Sequence, residues 1–236
     1  NNVNDDDYEI AYSAGSGKGD NYIGIVFRVE VKSKNKNFSI IVKLPPQELA
    51  RREQFFVRPC FLRESQFYDD ILPMYKKFQE DKGIDLQKDG FNQIPLCYKS
   101  MTEDPYEALF FEDLKAAGYE MYDGFENLTK EHVLLTMKAL AKMHAVCYAI
   151  KDQQPELIAE YKDIIDIFLQ RRDDQNMTTW FDTMIKSARS SIDSCDAAIR
   201  ERIDNLFSKS FYELLSSSIS GEDAEPYSVL CHGDVS

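Results

Sequence analysis

The sequence carries no C-x-x-C pair, no internal repeat and only three histidines. Cys60, Cys97, Cys147, Cys195 and Cys231 stand singly and are odd in number, which points to reduced thiols rather than a disulfide framework. His132, His144 and His232 share no metal-ligand spacing with each other or with the cysteines, so a structural zinc site has no support. Positive charge is also in deficit. With 28 basic against 41 acidic residues and a net charge of −13, a sequence-independent grip on nucleic-acid phosphates is disfavoured, and only a local basic cleft stays open. No continuous apolar run reaches the length of a membrane span, and the polar start 1–7 is no signal peptide, so the expectation is a cytoplasmic protein with no membrane span.

What remains is enough for a core. Hydrophobic residues make up 43% and aromatic residues 12% of 236 positions, which suits one large or two small domains. The first third reads as strands: Tyr8–Ala14, 24–31 and 38–44, joined by a glycine-containing segment and a polar turn and ended by Pro45-Pro46. A helical pattern over 60–79 aligns Phe61, Tyr68, Ile71 and Tyr75, with Pro73 expected to kink it. Two short strands follow, 94–99 and Ala108–Glu112. From Leu114 the hydrophobic period changes from two to 3.6. Helices are expected over 129–150, 156–170, 178–192 and 196–216, the first capped by Thr129 with an apolar face of Val133, Met137, Leu140, Ala141, His144 and Tyr148. His144 reads as a core residue. A final strand is expected over 227–231. The pattern predicts an α+β, bilobal chain: an antiparallel β-sheet lobe with one helix over 1–113, and a mainly α-helical lobe over 114–236.

Five places could carry chemistry. Gly15, Gly17 and Gly19, then Asp20 and Asn21, lie between two strands, where glycines let backbone N–H groups approach a phosphate. Their spacing is neither a Walker loop nor a dinucleotide fingerprint, and a plain hairpin turn is the alternative. Lys43 ends an apolar strand; it either reaches solvent past Pro45 or pairs with a carboxylate. Glu64 shares the buried stripe of its helix and needs a cation, for which Lys43 is the first candidate; Glu53 is an alternative carboxylate. Phe111, Glu112 and Leu114 sit where the two lobes would meet, and their backbone could bind an adenine edge or simply end a strand. His232-Gly233-Asp234 follows an apolar stretch, as in a kinase catalytic loop whose Asp accepts the proton of the attacking hydroxyl; a polar turn would use the same residues.

Read in order, Lys18-Gly-Asp-Asn-Tyr22, Phe61-Leu-Arg-Glu64 through Pro73, Glu112-Asp-Leu114, Leu140-Ala-Lys-Met-His144-Ala and Leu230-Cys-His-Gly-Asp234 resemble the ecdysteroid kinase-like family of arthropods. That family lies within the choline kinase and aminoglycoside phosphotransferase superfamily, and the resemblance implies a protein-kinase-like fold. It further implies that Gly15, Gly17, Gly19, Asp20 and Asn21 cover the ATP phosphates, that Lys43 contacts them while Glu64 holds Lys43, and that Asp234 orients and deprotonates a substrate hydroxyl. Gly233, where protein kinases carry Arg, fits small-molecule phosphotransferases. ATP and Mg2+ are the implied cofactors, with the metal ligands expected beyond Ser236. The chain therefore reads as an incomplete, inactive portion of a kinase that phosphorylates an ecdysteroid or another lipophilic alcohol. The competing expectation is a non-catalytic nucleotide-binding or interaction module.

Overall fold

The computed structural model describes residues 8–17, 24–123, 126–192 and 197–233, and the chain divides into two compact units, residues 1–146 and 147–236. The first unit is built on a five-stranded antiparallel sheet. Its strands are β1 (Tyr8–Ala14), β2 (Ile25–Ser33), β3 (Asn37–Leu44), β4 (Cys97–Met101) and β5 (Ala108–Glu112), in spatial order β1-β2-β3-β5-β4. β1 to β3 form the expected meander. β5 then returns to pair with β3, setting Ile41 opposite Phe111 and Lys43 opposite Leu109. Because side chains alternate, Ile41, Lys43, Leu109 and Phe111 share one sheet face. That face meets a helix: Val57, Phe61, Leu109 and Phe111 form a buried cluster, with Ile41, Tyr68 and Cys97 packed against it.

The single helix expected over 60–79 is three consecutive segments, α2 (Val57–Gln66), a π-helical turn (Phe67–Ile71) and α3 (Leu72–Asp81). Pro73 explains the break, since its ring clashes with the carbonyl four residues earlier and its nitrogen cannot donate; a wider π turn just before it relieves both. The expected stripe holds, with Phe61, Ile71 and Tyr75 all buried. An additional short helix, α1 (Leu49–Gln54), precedes it. Beyond α3, buried Gln79 accepts from Phe91 N at 2.7 Å, and Lys142 donates to Gly90 O at 2.9 Å, so the polar loop between α3 and β4 is tied down at two points.

The helices after β5 are α4 (Lys130–Gln153), α5 (Pro155–Ala159), α6 (Ile167–Gln170), α7 (Gln175–Ser190), α8 (Ala197–Leu206) and α9 (Phe211–Ile219). Thr129 Oγ1 accepts from His132 N, the expected cap of α4. The buried face of α4 is not the expected one: Met143, Val146, Cys147 and Ile150 are buried, whereas Val133, Met137 and Tyr148 are exposed. The helix is apolar on several sides, so periodicity alone does not single out the packed face. By length and composition α4 is also apolar enough to cross a membrane; Lys138 and Lys142 are what break it as a continuous run.

Two long helices expected downstream are each divided. Asp166 accepts from Phe168 N and starts α6 afresh, and Ser210 with Glu213 forms a reciprocal capping box that starts α9. In the second unit Phe181 stacks on Phe211 at 3.8 Å between ring centres, and Phe168, Trp180 and Tyr212 meet them edge-on. The strand expected over 227–231 does not form: these residues have no strand partner among the described residues and are held instead by side chains of α4.

Candidate active site

Lys43 and Glu64 meet. Lys43 Nζ donates to Glu64 Oε1 at 2.9 Å and Oε2 at 2.7 Å, and the same ammonium lies 5.7 Å from the centre of the Phe61 ring. The pleat of β3 aims Lys43 at α2, and Glu64 lies one turn beyond Phe61, whose ring anchors α2 in the core. Glu53, the alternative carboxylate, is exposed on α1. The two paired side chains remain 25% and 30% exposed, so the ammonium is fixed in place yet still open to a ligand.

Gly24, which sequence reasoning does not mark, and Tyr68, which it places on the helix stripe without a role at the site, shape this corner. Gly24 flanks the lysine: a Cβ there would stand 3.1 Å from Leu44 O and 3.5 Å from Lys43 Cε, so its absence leaves room beside the stem. Tyr68 packs its ring on Phe111 at 5.0 Å; burial, then the nearby Glu64 charge, pushes its phenol well above the usual range and keeps it neutral.

The residues of the expected phosphate loop divide between described and undescribed positions. Gly15 N donates to Val26 O at 2.8 Å, and a Cβ on Gly15 would fall 2.7 Å from Val26 Cγ1 and 2.9 Å from the Phe27 carbonyl carbon. Glycine is thus required there by the close approach of β1 to β2. Gly17 is exposed at the end of its described stretch, while Gly19, Asp20 and Asn21 lie outside the described residues. Asp234 also lies outside them; His232 and Gly233 are described, and Gly233 has a left-handed φ of 85° that suits glycine.

At the end of β5, Phe111 belongs to the core cluster, and Glu112 is engaged by the chain itself: its N–H donates to Leu96 O and its Oε1 accepts from Leu96 N at 2.7 Å. Leu114, half-buried, opens a turn closed by Tyr119 N on its carbonyl. The residue between them organises the segment. Asp113 Oδ1 accepts from Arg28 Nη2 at 2.8 Å and Oδ2 from Ser39 Oγ at 2.6 Å, while Lys115 N and Ala116 N close on Oδ1. Burial by itself would raise its pKa, but the Ser39 hydroxyl, the backbone N–H groups and the Arg28 charge outweigh it and hold the carboxyl below the usual carboxylate range.

Asp113→Ala should therefore free the turn after β5 and leave Arg28 unpaired, lowering stability by about 2–4 kcal/mol. Denaturant unfolding checks the size, and hydrogen exchange at 113–118 checks the place. For the wild type, a folded pKa below the unfolded one means that Asp113 stabilises the fold above about pH 4 and ceases to as pH falls through its folded value.

The model of the ecdysteroid kinase-like family matches residues 18–236. The chain belongs to the ecdysteroid kinase-like family. No curated protein and no solved structure matches it. Membership, together with the five-stranded antiparallel sheet and the helical region, identifies an α+β kinase-like fold and points to a small-molecule, kinase-like phosphotransferase in general terms. Kinase-like families use ATP and Mg2+ generally. Among the described residues no His, Cys, Asp and Glu side chains group as metal ligands.

Proposed function

We propose that this member of the ecdysteroid kinase-like family transfers the γ-phosphoryl group of ATP to a hydroxyl of a small lipophilic alcohol, an ecdysteroid being the first class to test. The observation that carries the reading is the Lys43–Glu64 pair, a strand ammonium fixed by a helix carboxylate and still accessible, which is what holding triphosphate oxygens requires. Residues 1–113 are assigned the nucleotide, with the backbone of Gly15, Gly17, Gly19, Asp20 and Asn21 over the phosphates and the Phe111 to Leu114 segment at the base. Residues 114–236 are assigned the acceptor.

In the step itself the acceptor oxygen forms a bond to the γ-phosphorus while the bond to the β–γ bridging oxygen breaks. ADP leaves, and the hydroxyl proton passes to Asp234. Lys43 stabilises charge on the phosphate oxygens, which is worth most where the cation is already in position. Among the described residues no side-chain cluster fits a metal ion. We place the reaction in the cytoplasm, on a small-molecule partner.

The test combines binding and turnover. Magnesium-ATP is expected to raise the melting temperature of the full-length protein, and its incubation with ATP and an ecdysteroid should yield a product heavier by one phosphoryl group. A folded protein that neither gains stability from magnesium-ATP nor phosphorylates any hydroxylated steroid would sink the reading.

A further inference from the structure

The stretch 224–233, which runs directly into Asp234, forms neither strand nor helix, so its course depends on what its main chain is tied to. It is tied to one side of α4. Lys151 Nζ donates to Ser228 O at 2.7 Å, Pro226 O at 3.2 Å and Ser228 Oγ at 3.1 Å, and pairs with Glu225 Oε2 at 2.9 Å. Tyr148 OH donates to Tyr227 O, and Leu230 N donates to Cys147 Sγ at 3.4 Å. Cys147, Tyr148 and Lys151 are spaced by one helical turn, so a single helix face presents all three groups.

The pattern differs from an ordinary surface ion pair, which contributes little. The Lys151 side chain is 23% exposed, and two of its acceptors are backbone carbonyls. An ammonium has three protons, and here the chain itself offers more acceptors than that. Ser228 Oγ in turn donates to Glu225, and this bond with the Lys151 ammonium holds the Glu225 carboxyl below its usual range, so the carboxylate stays charged opposite the lysine. Ionised carboxylate, hydroxyl and two carbonyls converge on one cation, fixing residues 225–228. The Cys147 thiol then fixes residue 230.

We infer that Lys151, assisted by Tyr148, is the positioning residue of the catalytic loop: it holds the chain that delivers His232-Gly233-Asp234. This rests on the phosphotransferase reading above. It goes beyond it by assigning loop alignment to a helix lysine that no motif marks.

Two readouts separate alignment from general stability. In hydrogen exchange of the full chain, Lys151→Met should speed exchange of the peptide covering 225–233 while α4 stays protected, and Lys151→Arg should restore most protection by reaching the same carbonyls. In phosphotransfer from ATP to an ecdysteroid probe, Lys151→Met should lower kcat by about 10- to 100-fold with little change in KM for ATP, as expected of a misaligned base. Should Lys151→Met not fold, Ser228→Ala is the milder variant and should give intermediate values in both assays. Exchange of 225–233 equal to the wild type, or an unchanged kcat, would overturn the inference. A wild type that binds no magnesium-ATP would overturn the phosphotransferase reading instead, and the exchange comparison would still decide whether Lys151 holds the loop.

Discussion

If Lys43 holds the phosphate oxygens as proposed, Lys43→Met is expected to lower phosphotransfer by roughly 10²- to 10³-fold, because it removes that positioned cation without changing the length of the side chain much. The effect should appear mainly in kcat/KM for ATP. Stability should change far less. Lys43 and Glu64 keep 25% and 30% of their side-chain exposure, so solvent screens the pair and rehydrates Glu64 once it is alone. About 1 kcal/mol is the expected loss. A Lys43→Met, Glu64→Gln double variant should recover part of that loss and none of the activity. The comparison uses steady-state rates beside denaturant midpoints; a stability loss that matched the activity loss would mean that the pair is a structural brace.

The largest loss of stability is expected at Glu107, just before β5. Its carboxylate is 1% exposed and accepts from Arg52 Nη2 at 2.8 Å on both oxygens and from Arg58 Nη1 at 2.6 Å, so α1 and α2 are both bound to the strand that carries Leu109 and Phe111. Glu107→Leu leaves Arg52, 9% exposed, as a buried cation whose nearest other carboxylate is the exposed Asp104. The expected loss is about 3–5 kcal/mol. Adding Arg52→Met should return much of it, since two packed apolar side chains need no partner. Acid should mimic the single variant. Burial would raise the Glu107 pKa, but the arginine hydrogen bonds, its own backbone N–H and the Arg52 charge hold it below the usual value. Its contribution is therefore complete above about pH 4.3 and disappears as pH falls through the folded value. Unfolding midpoints for wild type and Glu107→Gln should converge in acid; a constant difference from neutral pH down to pH 2 would contradict this.

Local pattern was a good guide wherever partners lie on regular faces. The pleat of β3 and the stripe Phe61, Ile71, Tyr75 pointed Lys43 and Glu64 at each other, and the structure joins them. It failed where the partner is remote. Asp113 reads as a solvated strand-end acid until Arg28 and Ser39 arrive from 85 and 74 residues away. Glu107 is hidden for the same reason, its arginines lying on helices some fifty residues earlier. On α4 periodicity picks the wrong side because Val133, Met137 and Tyr148 are as apolar as the packed Met143, Val146 and Ile150 yet stay exposed. The break before Phe211 was legible after all: Ser210 and Glu213 have the spacing of a capping box. Residues 227–231 are apolar enough for a strand, yet Lys151 and Tyr148 claim carbonyls that a ladder would need.

The strand order β1-β2-β3-β5-β4 also sets a sequence of events in time. The β1–β2 and β2–β3 ladders join chain neighbours, whereas β5 can reach β3 only after the loop between Lys43 and Leu109 has closed. Closure of that loop is slow to be rewarded, so the early folding nucleus is expected in the meander, with the fifth strand docking late. The ions that bind β5 to α1 and α2 then act as a latch on the finished sheet. Weakening them at Glu107 should leave the refolding limb of a chevron in place and raise the unfolding rate, so the residue is expected to govern how long the folded sheet lasts more than how fast it forms.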